Sequence, residues 1–154
     1  MDTHDTRSQN VNSGRASESD WQRLWFAMLD KPWSSLAIIP TDAGVEAGRV
    51  GEALVAVGQM HGERPVRLLN AEGVPLDAVR RVVGDLSAMT RRGESVVVVI
   101  DPLAQNPAAI PIARATSAAL LVVRVGESRL ASARSTIEAV GRDHLLGSLV
   151  LGQM

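Results

Sequence analysis

The chain is predicted to be an α/β domain with three layers, α/β/α, around a mainly parallel sheet. Three observations carry this. Apolar, β-branched runs alternate with amphipathic stretches along most of the length. One run, Ser95-Val-Val-Val-Val-Ile-Asp101, is unbroken by any polar residue between its ends, the habit of a strand covered on both faces in a parallel sheet. The 154 residues are also enough for one full hydrophobic core.

Composition excludes several function classes. A net charge of −1 gives no field drawing the chain to nucleic acid or anionic lipid. Without Cys there is no disulfide framework, thiolate nucleophile or cysteine metal site. His4, His61 and His144 are scattered, which argues against zinc. No apolar run approaches the ~20 residues of a membrane span, so no direct membrane insertion is expected. The start, MDTHDTRSQN, lacks the pattern of a secretory signal, and a cytoplasmic location is the expectation. With one Phe, three Trp and no Tyr, the core has to be aliphatic.

Residues 1–17 are polar and rich in Ser and Asn, and are expected to form a disordered tail ahead of a domain spanning 18–154. Trp21, Leu24, Trp25, Met28 and Leu29 then mark one face of a helix, capped by Ser17 or Ser19 and stopped at Lys31-Pro32. Trp21 and Trp25, with Trp33 just beyond, fit either core packing or a partner-binding surface. A strand over Leu36–Pro40 leads into a turn and a helix from Val50 to Met60. Pro65–Asn70 is a second strand, and Leu76, Val79, Val82, Val83, Leu86 and Met89 step as a helix ending at Arg91-Arg92-Gly93. After the Val-rich strand come a proline-punctuated loop, a short helix near Ile112–Thr116 and a strand over Ala119–Arg124. A helix over Ser128–Val140 and a strand over Leu145–Leu151 complete the alternation.

The segment from Ser35 to Leu54 has the strand–turn–helix layout of a P-loop, [AG]-x-x-x-x-G-K-[ST]. Ala43 and Gly48 stand in register, with Gly44 inside the turn. Arg49 replaces the lysine and Val50 the hydroxyl. A degenerate P-loop NTPase-like fold is expected. Arg49 would sit at the positive end of a helix, which favours a bound phosphate or a nearby carboxylate such as Glu46 or Asp42.

The order of these pieces resembles the cytoplasmic ATPase domain of bacterial tyrosine kinases (BY-kinases) of capsule and exopolysaccharide biosynthesis, within the MinD/ParA-like P-loop superfamily. The family's E-x-x-R-x-x-R helix corresponds to Ser19-Asp-Trp-Gln-Arg-Leu-Trp25, and its Thr-Ser-Ala turn to Thr41-Asp42-Ala43. Its I-D-A-D strand end corresponds to Leu69-Asn70-Ala71-Glu72, and I-D-x-P-P to Ile100-Asp101-Pro102. The A-D-x-x-L-L-V-V-R-x-G signature is similar to Ser117–Gly126, and L-G-x-V-L-N to Leu146–Leu151. The likeness runs over about residues 19–152.

This resemblance implies a nucleotide pocket at Ala43, Gly44, Gly48, Arg49, Val50 and Asp101, with Asn70 and Glu72 beside it. Only Asp101 keeps the family's chemistry. Val50 cannot ligate Mg²⁺, Asn70 replaces a carboxylate, and Arg49 is a bulkier head than the ammonium it replaces. These 154 residues hold no Tyr for self-phosphorylation. The implied function is a pseudo-enzyme without catalytic residues, bound metal or required cofactor, holding at most ADP or ATP weakly and without tight Mg²⁺. The implied partner is the cytoplasmic part of a membrane polysaccharide co-polymerase, met through Trp21, Trp25 and Trp33, which would recruit the protein to the inner membrane. A homo-oligomer is compatible with the resemblance. Two alternatives are a residual ATPase or kinase using Arg49 and Asp101, and a ParA/MinD-like spatial regulator. Asp101 beside Pro102 also fits a plain turn-shaping role, and His144 a turn residue.

Overall fold

The computed structural model describes residues 8–11, 17–126 and 128–152. Among them are the strands β1 (Ser8–Val11), β2 (Ser35–Pro40), β3 (Val66–Asn70), β4 (Ser95–Val99), β5 (Ala118–Arg124) and β6 (Leu145–Leu151). They form one sheet in the order β1-β6-β5-β2-β4-β3, and every neighbouring pair is parallel. The sheet is thus wholly rather than mainly parallel. The helices are α1 (Glu18–Met28), α2 (Ala47–His61), α3 (Val79–Arg91), α4 (Ala109–Ala115) and α5 (Leu130–Val140).

Alternation along the strands splits the core into two layers. Leu36, Ile38, Val97, Val99, Leu120, Val122 and Leu149 face α1 and α2. Ala37, Ile39, Val96, Val98 and Ala119 face the other way, onto Leu86 of α3, Ile112 of α4 and Val140 of α5. Because β2 and β4 lie inside the sheet with helices on both sides, every residue in both strands is buried. β3 is an edge strand, which explains why Arg67, Leu68 and Asn70 remain exposed.

Helix α1 starts at a capping box. The Ser17 hydroxyl accepts from Asp20 N–H at 3.2 Å, and the Asp20 carboxylate accepts from Ser17 N–H at 3.0 Å. Helix α2 lies hard against the sheet at two glycines one heptad apart. A Cβ on Gly51 would sit 2.5 Å from Val99 Cγ2, and one on Gly58 would sit 2.6 Å from the Trp25 ring. The missing side chains bring α2 down onto β3 and β4 and open a notch that the Trp25 indole fills.

Two expectations are corrected. The polar leader is not wholly a tail: Ser8–Val11 pairs with Ser148–Leu151 of β6 as an edge strand. Backbone hydrogen bonds to an otherwise open strand edge supply an ordering force that composition does not register. Residues 1–7 and 12–16 of that predicted tail lie outside the described residues. Trp25, offered as a partner-binding residue, is 2% exposed and belongs to the core, because Gly58 leaves room for its ring. Trp21 and Trp33 are half-buried and pack against the same layer.

The glycines generate a paired prediction. Gly58→Ala should lower stability by about 1–3 kcal/mol through overpacking against Trp25. Gly84→Ala, at an exposed position of α3 with nothing within 4 Å of the added carbon, should raise it by about 0.5–1 kcal/mol. Denaturant midpoints of the two variants against the parent check both signs.

Candidate functional site

The strand–turn–helix unit sits at the carboxyl end of β2, where open parallel sheets place their ligand crevices. Strand β2 passes into Thr41–Glu46, and Gly44 turns the chain with φ at 92°. Helix α2 begins at Ala47, ahead of the expected Val50, so the helical turn takes in the Ala47-Gly48-Arg49 segment. Val45, Ala47 and Val50 are all buried in the layer beneath, at 7%, 1% and 1% exposure. These three side chains therefore point into the core, where a phosphate-wrapping loop would carry glycines. Ala43 and Gly44 are exposed.

Arg49 turns outward. Its guanidinium is largely in solvent, and Nε lies 3.6 Å from Glu46 Oε2. That same oxygen is 3.9 Å from Arg124 Nη2 at the end of β5. Of the two carboxylates expected as partners for Arg49, the structure supplies Glu46. Both members of the Arg49–Glu46 pair are exposed, so the contact adds little stability.

Asn70, Glu72 and Asp101 gather on the other side of the turn, at the ends of β3 and β4. Asn70 Oδ1 accepts from Glu72 N–H at 3.0 Å, closing a tight turn. Glu72 reaches toward the start of α2: a Cβ on Gly48 would lie 3.8 Å from its Oε1. A carboxylate is thereby held at the positive end of the helix, where the P-loop pattern places phosphate. Asp101 Oδ2 accepts from Gly73 N–H at 2.7 Å and from Asn106 Nδ2 at 2.9 Å. Asn106 also donates to Val74 O and accepts from Ala108 N–H. The one acidic residue shared with the kinase pattern thus ties the loop after β3 to the loop after β4.

A second set of contacts has no signal in the sequence. Asp42 accepts from Ser132 Oγ at 2.7 Å and from Arg129 N–H at 3.0 Å, capping α5 from across the sheet. The Thr41 and Ser128 hydroxyls are hydrogen-bonded at 2.7 Å, and Ser128 Oγ accepts from Arg124 N–H. The Asp42 partners are 87 and 90 residues away in the chain, beyond the reach of any local motif. Burial is the largest single influence on the Asp42 carboxyl and opposes its ionisation. The bonds from Ser132, the Arg129 backbone and Thr41, with the Arg129 charge, together outweigh it and hold the pKa below the usual carboxylate value.

The predicted site residues therefore fall into two places. Ala43, Gly44, Gly48, Arg49, Val50, Asn70, Glu72 and Asp101 meet at the carboxyl end of the sheet. Trp25 and Trp33 lie at the opposite end, where β2, β3 and β4 begin. Among the described residues no three His, Asp or Glu cluster as a metal site, and no helix is long and apolar enough to cross a membrane.

Two outcomes follow from this geometry. Asp101→Ala should cost about 1–3 kcal/mol, because Gly73 N–H and the Asn106 amide lose their acceptor; a denaturant titration reads it directly. Asp42 has a depressed folded pKa, so its stabilisation is present above the unfolded value of about 3.9 and is lost as pH falls through the folded one. Asp42→Asn should accordingly be less stable than the parent by about 1 kcal/mol at pH 7, with the gap closing below about pH 4. Thermal melts of both proteins from pH 7 to pH 3 check it.

No family model matches the chain, and no curated protein matches it. Solved structures do. The chimerical protein CapA2B2 is similar over 94% of this chain and 93% of its own, with a TM-score of 0.76 at 9% identity. The kinase domain of the Escherichia coli tyrosine kinase ETK matches over 90% of this chain and 75% of its own, with a TM-score of 0.69 at 14% identity. The BceF tyrosine kinase domain matches over 89% and 78%, with a TM-score of 0.61 at 17% identity. At these identities the likeness is one of fold, and it agrees with the resemblance carried by the sequence motifs. The chain has the α/β fold seen in the tyrosine-kinase domains of ETK and BceF.

Proposed function

We propose that this protein is a kinase-fold scaffold without phosphoryl-transfer activity. It works in exopolysaccharide synthesis or export and binds the cytoplasmic part of a membrane polysaccharide co-polymerase. The fold shared with CapA2B2, ETK and BceF supports the setting. The observation that carries the loss of catalysis is Val50, which stands where the pattern requires a magnesium-ligating hydroxyl and is 1% exposed in an apolar layer. Phosphoryl transfer depends on metal and positioned charge, and this position offers neither.

The surrounding side chains support the same reading. Arg49 faces solvent beside Glu46, Glu72 places negative charge near Gly48, and Asp101 is engaged by Gly73 and Asn106. A nucleotide phosphate would meet a carboxylate at Glu72 and a filled turn at Val45 and Ala47. On this reading the protein is cytoplasmic and reaches the inner membrane through its partner, with no nucleic acid involved.

Isothermal calorimetry with ATP and Mg²⁺ tests the proposal. The expected result is no Mg²⁺-dependent binding and no phosphate release above background. Micromolar, Mg²⁺-dependent ATP binding that disappears in Asp101→Asn would overturn it.

A further inference from the structure

The sheet has two outer edges, and they are protected in different ways. On β3, Arg67 projects a charge, its side chain 58% exposed and its Nε 3.4 Å from Glu94 Oε2. Pro65 O accepts from Ser95 N–H, so the next carbonyl, Val66 O, points out from the sheet, and the Gln59 amide donates to it at 3.0 Å. Charged side chains and covered backbone groups are ordinary means of keeping an edge from pairing. Strand β6 carries no such charge. Leu145–Leu151 reads Leu-Leu-Gly-Ser-Leu-Val-Leu, an apolar strand of seven residues that would invite pairing if its outer side were bare.

What covers that side is β1, in a register that runs from Ser8 beside Ser148 to Val11 beside Leu151. Among the described residues no strand pairs with the outer side of Leu145–Gly147. Of Ser8–Val11 only Val11 is apolar, so backbone hydrogen bonds supply most of the hold. Residues 12–16 join β1 to the Ser17 cap of α1. This tether makes β1 an intramolecular ligand for β6, acting at an effective concentration of about 1 mM. Strand β6 is also close to a palindrome about Ser148. A second copy laid antiparallel on a two-fold axis at Ser148 sets Leu145 against Leu151, Leu146 against Val150 and Gly147 against Leu149. Apolar residues then face apolar residues or glycine, and no charge opposes another.

We propose that the outer edge of β6 is a self-association surface held closed by β1. When Ser8–Val11 leaves, the β6 strand of a second copy takes its place, and the two sheets join across an axis at Ser148. While the tethered strand is in place it outcompetes a second copy at low protein concentration, so the chain stays single. The proposal goes beyond the scaffold reading and does not rest on it. It concerns the edge of the sheet and not the turn after β2, so it stands or falls separately from nucleotide binding.

Sedimentation velocity on the full chain tests it. Consecutive N–H groups of a strand point to opposite sides, so Gln9→Pro with Asn10→Pro removes a donor to β6 whichever of the two faces it. Val11→Asp is a second release variant that needs no proline, and thermal melts check that both keep the parent's folding transition. The parent is expected to remain a monomer across about 10–300 µM and the release variants to dimerise there, a gain of at least about tenfold in apparent affinity. Adding Ser148→Lys places like charges opposite each other on the axis and should restore the monomer. The chain has no Cys, so Ser148→Cys reports the pairing directly: its disulfide between copies should form at least about tenfold faster with the release substitutions than without them. Release variants that stay monomeric, dimers indifferent to Ser148→Lys, or a cross-linking rate unchanged by release would each overturn the proposal.

Discussion

The closeness of α2 to the sheet is the constraint on which the rest of the structure depends. Gly51 rests on Val99 and Leu68, and Gly58 rests on Val66 and the Trp25 ring, with no room for a further carbon at either place. At that distance the first turn of α2 buries Ala47 and Val50, and the preceding turn buries Val45. The notch at Gly58 takes the Trp25 indole and so fixes α1 across α2. Both ends of the molecule inherit their character from this packing: a filled turn at the carboxyl end of β2, and packed tryptophans where β2 begins.

The turn is also held from the far side. Asp42 caps α5, Thr41 meets Ser128, and Glu46 lies near both Arg49 and Arg124. In a working phosphate loop the bound anion collects the positive ends of the neighbouring groups. Here carboxylates from the chain itself, Glu46 and Glu72, stand near those groups. On the scaffold reading proposed above, a site organised by its own side chains has less need of a ligand to complete it.

Much of the fold was legible because its signals are local. The valine-rich strand β4 announces burial on both faces by an unbroken β-branched run, and α3 announces its inner face by the spacing of Val79, Val82, Leu86 and Met89. Strand β1 was not legible, since its order comes from hydrogen bonding to β6, far away at the other end of the chain, and not from its own composition. The replaced positions Arg49, Val50 and Asn70 could be read from motif spacing, whereas the choice of Glu46 over Asp42 beside Arg49 came only from the structure. The engagement of Asp101 by Asn106 and of Asp42 by Ser132 could not, because hydrogen-bond partners separated by loops leave no periodic mark. Trp25 shows the limit of residue type as a guide: an aromatic stripe reads alike for core and interface, and only Gly58 distinguishes them.

The strand order has a consequence for how the protein comes into being. Central strand β2 pairs with β4 and β5, both later in the chain, and β1 pairs with β6, the last strand. A nascent chain that has emerged only through α2 holds a hydrophobic strand with neither neighbour yet made. Distant pairings of this kind slow folding, since a long loop must close before its contacts form. Edge strand β1 has no partner until β6, which follows every other described strand, has been made.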